Sequence, residues 1–160
     1  MPARVMMLNG PNLNLLGTRE PHIYGTVTLA AIEASCRQFA DAIGASLAFH
    51  QSNHEGALID WVQAARRDAD ALIINPAGFS FTSVALVDAL MTFSSPIVEL
   101  HISNIHARDP LHRNSIISPV AKAVICGLGA YGYIVALQCA ARLLDALPAS
   151  LPEPLRVGPK

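Results

Sequence analysis

Charged side chains are scarce in this sequence. Asp, Glu, Lys and Arg make up 14% of the 160 residues, whereas an average soluble domain has roughly a quarter. The 11 basic and 12 acidic residues are spread along the chain. No positive field is therefore available to hold a phosphate backbone, and nucleic acid is not an expected partner. A surface this poor in charge instead predicts burial of part of it by self-association into a homo-oligomer.

Long hydrophobic runs are also lacking. The longest nearly apolar run, residues 123–137, is interrupted by glycines and is shorter than the ~20 residues that a membrane-spanning helix needs. The first ten residues carry no apolar stretch of the secretory type. We therefore expect no membrane association and a cytoplasmic location. The cysteines Cys36, Cys126 and Cys139 are unclustered among apolar neighbours, which suits reduced, buried thiols better than disulfides or metal ligands.

Signature motifs of several enzyme classes are missing. The chain has no glycine-rich phosphate loop with its lysine and no Gly-x-Ser-x-Gly elbow, which excludes kinase and serine-hydrolase interpretations. The stretch "GLGAYG", residues 127–132, fits the dinucleotide pattern, but no further strand with an acidic end follows it. We interpret these glycines as allowing the last helix to pack closely on the sheet. His50 and His54 share no helical face, so no metal site is predicted. Because the dinucleotide pattern is incomplete, no cofactor is predicted either.

What the sequence does contain is a regular alternation of short apolar runs and helical patterns. Five β-rich runs, at residues 4–8, 46–50, 71–75, 97–102 and 122–126, predict strands. Four helices are predicted between and after them: one over residues 29–43, one behind a Ser52–Glu55 capping box, one capped by Thr82 or Ser83, and one over 131–147.

This alternation predicts an α/β, flavodoxin-like three-layer sandwich with a five-stranded parallel sheet in the order 2-1-3-4-5. Residues 1–147 are expected to form a single domain. Residues 148–160 hold four prolines and are expected to be a loose tail, because proline cannot continue a helix.

Polar residues follow strands one, three and four where each strand ends, which is the edge at which such sheets bind ligands. They are the loop of residues 9–25, Asn75, His101 and Ser103. Glu99 and His101 lie two apart on a strand and hence on one face. The pair is costly in an apolar strand unless it is joined. It therefore indicates a glutamate that fixes the tautomer of a catalytic histidine, with a structural buried pair as the alternative.

A candidate base lies in the first loop. Arg19 and Tyr24 are five residues apart, with Gly17 and Gly25 beside them as hinges. A free phenol ionises only near pH ~10, and a neighbouring guanidinium stabilises the phenolate. Tyr24 is therefore a candidate base on a movable lid, although a role as a loop anchor stays open on the residues alone.

The motifs together resemble one enzyme family. "LNGPNLNLLGTREPHIYG", "QSNHEGALIDW", "IINPAGFSFTSVALVDAL", "VELHISNIHARD" and "SPVAKAVICGLGAYGY" occur in an order and spacing similar to type II 3-dehydroquinate dehydratase. The resemblance covers roughly residues 4–147. It implies a flavodoxin-like fold, no cofactor or metal, a dodecamer of four trimers, and dehydration of 3-dehydroquinate to 3-dehydroshikimate, a lyase reaction of the shikimate pathway or of quinate breakdown.

The resemblance also implies a role for individual residues. Tyr24 matches the base, helped by Arg19 or Arg108, and Asn12 lies where the family holds a water against the enolate. His101, oriented by Glu99, matches the acid that protonates the departing C1 hydroxyl. The expected substrate-binding residues are Asn75 on that hydroxyl, the backbone N–H groups of Ile102 and Ser103 on the carboxylate, and Asp88 from a neighbouring subunit.

The chain departs from the family pattern at one side of the expected site. Phe81 stands where the family has a histidine on a ring hydroxyl, Val87 replaces a common arginine, and His112 replaces a substrate-binding arginine, with Arg113 one place later. A hydroxyl facing an apolar wall costs about 1–3 kcal/mol. Two hypotheses follow: a working dehydratase for 3-dehydroquinate or a related cyclic acid, and a paralogue that binds a small carboxylate without turnover. On the residues alone, a flavin-binding or nucleotide-binding flavodoxin-like module is a third alternative.

Overall fold

Five parallel strands form the sheet of this protein, whose computed structural model describes residues 1–158. The strands are β1 (Arg4–Asn9), β2 (Ser46–Gln51), β3 (Ala71–Asn75), β4 (Ile97–His101) and β5 (Ala123–Cys126). Their order is β2-β1-β3-β4-β5, and each neighbouring pair is parallel. The predicted fold class and strand order are confirmed.

Helices cover both faces of the sheet. They are α1 (Pro21–Tyr24), α2 (Leu29–Ala42), α3 (Glu55–Asp68), α4 (Val84–Met91) and α5 (Tyr131–Leu143). Apolar residues of α2 and α5 join one face of the sheet in a buried cluster, and those of α3 and α4 join the other. The helix α1 is a single turn inside the loop after β1. Short 3-10 turns occupy several of the remaining connections.

Helix ends explain where the sequence-based boundaries hold and fail. Ser83 caps α4, because its hydroxyl accepts the amide of Leu86 at 3.0 Å. Of the two predicted caps, Thr82 and Ser83, the structure therefore has Ser83. The predicted Ser52–Glu55 capping box is wrong. The residue before α3 is His54, with no side-chain cap, and the Ser52 hydroxyl accepts the His54 amide instead. Because β2 runs to Gln51, residues 52–54 form the turn before the helix.

The glycines of "GLGAYG" bring α5 close to the sheet. A Cβ on Gly132 would lie 3.1 Å from Leu100 Cδ1, and Gly127 and Gly129 adopt positive φ angles of 87° and 63°. The close-packing interpretation therefore fits the structure. The helix ends at Leu143 rather than 147, since Asp145 takes a left-handed conformation with φ 58°.

The segment after α5 is partly tied to the domain. Glu153–Arg156 forms a 3-10 turn, and the Arg142 guanidinium donates to the carbonyls of Val157 and Gly158. The looseness of the tail stays a prediction, and residues 159 and 160 lie outside the described part. Within residues 1–158, no helix combines the length and apolar character that crossing a bilayer requires.

Candidate active site

A cavity of about 180 Å³ opens at the carboxyl ends of β1, β3 and β4. The loops that follow these strands line it, as expected for this sheet order. The cavity brings together most of the residues singled out in the sequence: Asn12, Arg19, Tyr24, Asn75, Phe81, His101, Ile102, Ser103 and His112. Arg108 lines it as well.

Tyr24 lies beside two positive charges. The Arg19 guanidinium carbon is 5.2 Å from the centroid of the Tyr24 ring, and that of Arg108 is 5.6 Å away. Both distances fall within the ~6 Å range of cation–π contact. Local sequence sets this position, because Pro21 begins α1 and Gly25, with φ 80°, ends it directly after Tyr24. The phenol is thus presented to the cavity from a short turn flanked by glycine.

His101 forms the opposite part of the site together with Glu99. The two side chains are 5% and 0% exposed, and His101 Nε2 lies 3.0 Å from Glu99 Oε1. The hydroxyls of Ser115 and Ser118 also donate to this carboxylate. Burial opposes ionisation of Glu99, but hydrogen bonds from His101, Ser115 and Ser118 outweigh it and hold its pKa below the usual range. His101 thus lines the cavity with Nε2 bound to Glu99, and Nδ1 is the ring nitrogen that does not bind this carboxylate.

Asn75 belongs to a buried hydrogen-bond network. Its side-chain amide donates to the Tyr133 hydroxyl at 3.0 Å, and that hydroxyl donates to Asn9 Oδ1 at 2.8 Å. Burial raises the pKa of Tyr133, which keeps its hydroxyl protonated and donating. Asn9 and Asn75 pair in register at the ends of β1 and β3. The network fixes Asn75 at the cavity floor.

The wall that departs from the family pattern is largely aromatic. The Phe81 ring stacks on His101 with centroids 6.5 Å apart and meets the His112 ring edge-on at 5.4 Å. His112 Nδ1 is 2.8–2.9 Å from both carboxylate oxygens of Asp109. This hydrogen bond from His112 lowers the pKa of Asp109. The Arg113 guanidinium donates to the Arg108 carbonyl and is not among the cavity-lining residues.

Three further residues named from the sequence lie in different parts of the structure. Asp88 is exposed on α4 and does not line this chain's cavity. Val87 packs against the core on the α3–α4 side of the sheet. Asn12 adopts a left-handed conformation with φ 69°, and its backbone amide donates to Asn53 Oδ1 at 2.8 Å, which fixes the loop where Asn12 reaches the cavity.

Sequence reasoning missed Ser115, Ser118 and Tyr133. Each contacts the site through a side-chain hydrogen bond to a residue at least 16 positions away, so no local spacing reveals it. Paired asparagines at two strand ends were an available signal for Tyr133, because two buried amides need a further partner.

The flavodoxin-like α/β fold and a cavity lined by Tyr24, His101 and two arginines are typical of an enzyme that transfers protons with its own side chains. Comparison with known proteins narrows this class. The model of the family "Dehydroquinase class II" matches residues 3–141. The chain belongs to the class II dehydroquinase family.

Individual relatives agree with this assignment. The chain is 56% identical to the "Catabolic 3-dehydroquinase 1" of Aspergillus fumigatus over 138 residues, which cover 86% of this chain and 92% of the relative. It is 54% identical to the "3-dehydroquinate dehydratase" of Dinoroseobacter shibae over 84% of this chain and 89% of the relative. The crystal structure of the type II dehydroquinase from Propionibacterium acnes superposes with a TM-score of 0.85 at 38% identity, covering 88% and 97% of the two chains.

Proposed function

We propose that this protein is a 3-dehydroquinate dehydratase, a hydro-lyase that converts 3-dehydroquinate to 3-dehydroshikimate. Family membership and the names of its relatives support this activity. The observation that carries the proposal is that Tyr24, beside two guanidiniums, and His101, held by a buried glutamate, line one small cavity.

In the proposed reaction, the Tyr24 phenolate takes a proton from carbon 2, next to the ketone, and an enolate forms. The guanidiniums of Arg19 and Arg108 place positive charge 5.2 and 5.6 Å from the centroid of the Tyr24 ring. A water held near Asn12 stabilises the enolate oxygen. The enolate then collapses to an enone as the C1–O bond breaks, and His101 gives its proton to the leaving hydroxyl, which departs as water in an anti elimination.

Three residues are proposed to orient the substrate. The buried amide of Asn75, fixed by Tyr133, binds the C1 hydroxyl, and the backbone N–H groups of Ile102 and Ser103 bind the carboxylate. No cofactor or metal takes part in these steps.

A second candidate is a paralogue that binds a related small cyclic carboxylate without turnover. The aromatic wall of Phe81 and His112 favours it, because the phenyl ring offers no hydrogen bond to a ring hydroxyl. The two guanidiniums against the Tyr24 ring favour catalysis, since a binding protein gains nothing from placing two positive charges beside a phenol. The dehydratase is therefore the stronger candidate.

We further propose a cytoplasmic homo-oligomer, a dodecamer of four trimers, serving the shikimate pathway or quinate breakdown. The exposed side of α4 supports assembly, because Val84 and Met91 are 65% and 69% exposed there and Asp88 lies between them on the same side. In this proposal Asp88 reaches the cavity of a neighbouring subunit. Light scattering tests the size, with an expected mass twelve times that of the 17.0 kDa chain.

The activity is tested by adding 3-dehydroquinate and following the enone absorbance of 3-dehydroshikimate. The parent protein is expected to turn over. Tyr24→Phe is expected to lose at least about 100-fold in kcat, the low end of a general-base contribution. Tyr131→Phe is the matched control, because Tyr131 is 63% exposed and lies outside the cavity lining. No turnover by the parent at saturating substrate supports the binding protein instead.

A further inference from the structure

The Glu99 carboxylate is held by three donors from two parts of the chain, β4 and the connection that follows it. His101 Nε2 and the Ser115 hydroxyl share its Oε1, and the Ser118 hydroxyl binds its Oε2. The side chain is 0% exposed. A buried carboxylate without donors is strongly disfavoured in its ionised form, so these contacts decide whether Glu99 stays an anion.

The surroundings of Glu99 supply little else to stabilise its charge. Its register partners in the neighbouring strands are Ile74 and Val124, and the buried residues of α4 on this side of the sheet are Leu86, Ala89 and Leu90. Within the described residues, His101 is the titratable group that acts on Glu99, and no lysine or arginine pairs with it. Together with His101, the two serine hydroxyls therefore supply the donors that a lysine or arginine commonly gives to a buried carboxylate.

Ser115 is itself fixed. The Ser115 oxygen accepts the amide of Ile117 at 3.2 Å, and Ile117 is fully buried. The Ile116 amide donates to the Ser80 carbonyl at 2.8 Å. These bonds hold the segment so that the Ser115 O–H is aimed at Glu99. The same connection between β4 and β5 supplies Arg108 and His112 to the cavity.

We propose that Ser115 and Ser118 are positioning residues of the active site, whose hydroxyls fix the Glu99 carboxylate against His101 and so orient the imidazole that faces the cavity. The orientation follows from the structure, and its value for catalysis rests on the proposed function. Neither serine touches the cavity, so both act through Glu99.

The protonation state of Glu99 reports directly whether the serine hydroxyls act on its carboxylate. Without the hydroxyls the effect of burial prevails, and the Glu99 carboxylate takes up a proton at higher pH. Isotope-edited infrared titration of protein labelled with 13C in the glutamate carboxyl follows the protonated band, and Glu99→Gln assigns it. Ser115→Ala and Ser118→Ala are each expected to raise the Glu99 midpoint by about one pH unit or more, from the strength of a hydrogen bond to a charged group.

Kinetics give the second readout. Each alanine variant is expected to lower kcat several-fold at neutral pH with little change in KM, and to lose activity at a higher pH than the parent on the acid side. Ser115→Thr and Ser118→Thr keep the hydroxyl, and they are expected to show the kcat and the acid-side pH dependence of the parent. Ser35→Ala is the matched control, because the Ser35 hydroxyl donates within α2 to the Ala31 carbonyl, far from Glu99 in the chain.

The two readouts separate the inference from the proposed function. If the infrared midpoint of both alanine variants equals that of the parent, the serines do not set the state of Glu99 and the inference is wrong. If the midpoint rises but kcat and its pH profile stay as in the parent, orientation of His101 by this route is refuted. If the parent is inactive but the Glu99 midpoint rises in the alanine variants, the proposed dehydratase activity is wrong and the effect of the serines on Glu99 stands. Should a variant fail to fold, its threonine counterpart and the other serine still decide.

Discussion

We expect single residues at the wall of Phe81 and His112 to determine how tightly this site binds a hydroxylated ring. His112 Nδ1 is engaged by Asp109, which leaves one ring nitrogen, and Phe81 offers no donor. In His112→Arg the guanidinium adds donors in a fixed fork at the cavity lining. We expect the KM for 3-dehydroquinate to fall about 5- to 150-fold, which corresponds to about 1–3 kcal/mol for a satisfied hydroxyl.

The control for this change is His106→Arg, because His106 is exposed in the 3-10 turn Ile105–Ala107 and outside the cavity lining. Steady-state kinetics of both variants measure KM. An unchanged KM in His112→Arg would mean that no substrate hydroxyl faces this wall.

Some residues at the strand ends could be assigned to the candidate site from the sequence, because their side chains are unusual for their position. A glutamate and a histidine in an apolar strand indicate chemistry without any coordinates. The arginine near a tyrosine in the polar loop left a loop anchor open until the family resemblance was added. Ser115 and Ser118 carry no such signal, since a serine in a loop is ordinary. Their importance arises from the buried carboxylate that they reach, which tertiary structure alone reveals.

Whole elements followed from hydrophobic periodicity. The buried residues Ile32, Cys36 and Ala40 of α2 lie on one helical side, and the spacing of apolar residues predicted that helix nearly to its end. Helix boundaries were less predictable, because the Ser52–Glu55 pattern also suits the turn that leaves β2. The choice between cap and turn depends on where the strand ends, which the neighbouring strand fixes through pairing.

Gly10 controls the spacing of two elements that carry the site. It follows β1, its amide donates to the Asn75 carbonyl at 2.8 Å, and a Cβ there would lie 2.3 Å from the Pro76 carbonyl oxygen. Backbone atoms cannot move aside cheaply. We expect Gly10→Ala to lower the free energy of unfolding by at least about 2 kcal/mol, a typical overpacking cost, and to reduce kcat/KM by displacing Asn12 and Asn75.

Gly56→Ala is the matched control. Gly56 lies in α3 with open space around its Cβ position, and alanine is favoured over glycine in a helix by up to about 1 kcal/mol. Urea unfolding at one fixed protein concentration measures both variants. Equal stabilities for the two would show that the loops after β1 and β3 can separate without cost.

At the scale of the whole molecule, low charge and an apolar outer side of α4 both indicate assembly. Val84, Asp88 and Met91 are spaced four and three residues apart, so they share one side of the helix, and all three are exposed in the single chain. An aspartate between two exposed apolar side chains is well placed to be carried into a neighbouring subunit's cavity. The isolated chain would then hold an incomplete site.

Mixed oligomers test this arrangement directly. Tyr24→Phe lacks the base but keeps Asp88, whereas Asp88→Ala keeps the base but lacks the carboxylate that its neighbour needs. When the two chains are unfolded together and reassembled in equal amounts, roughly a quarter of the sites combine Tyr24 from one chain with Asp88 from the other, given a symmetric assembly. We expect activity at low substrate to exceed the mean of the two variants reassembled separately.

A mixture of Tyr24→Phe with His101→Gln is the control, because both residues line the cavity of the same chain and no exchange of subunits can reunite them. If the first mixture gains no more than the second, Asp88 does not act across a subunit boundary.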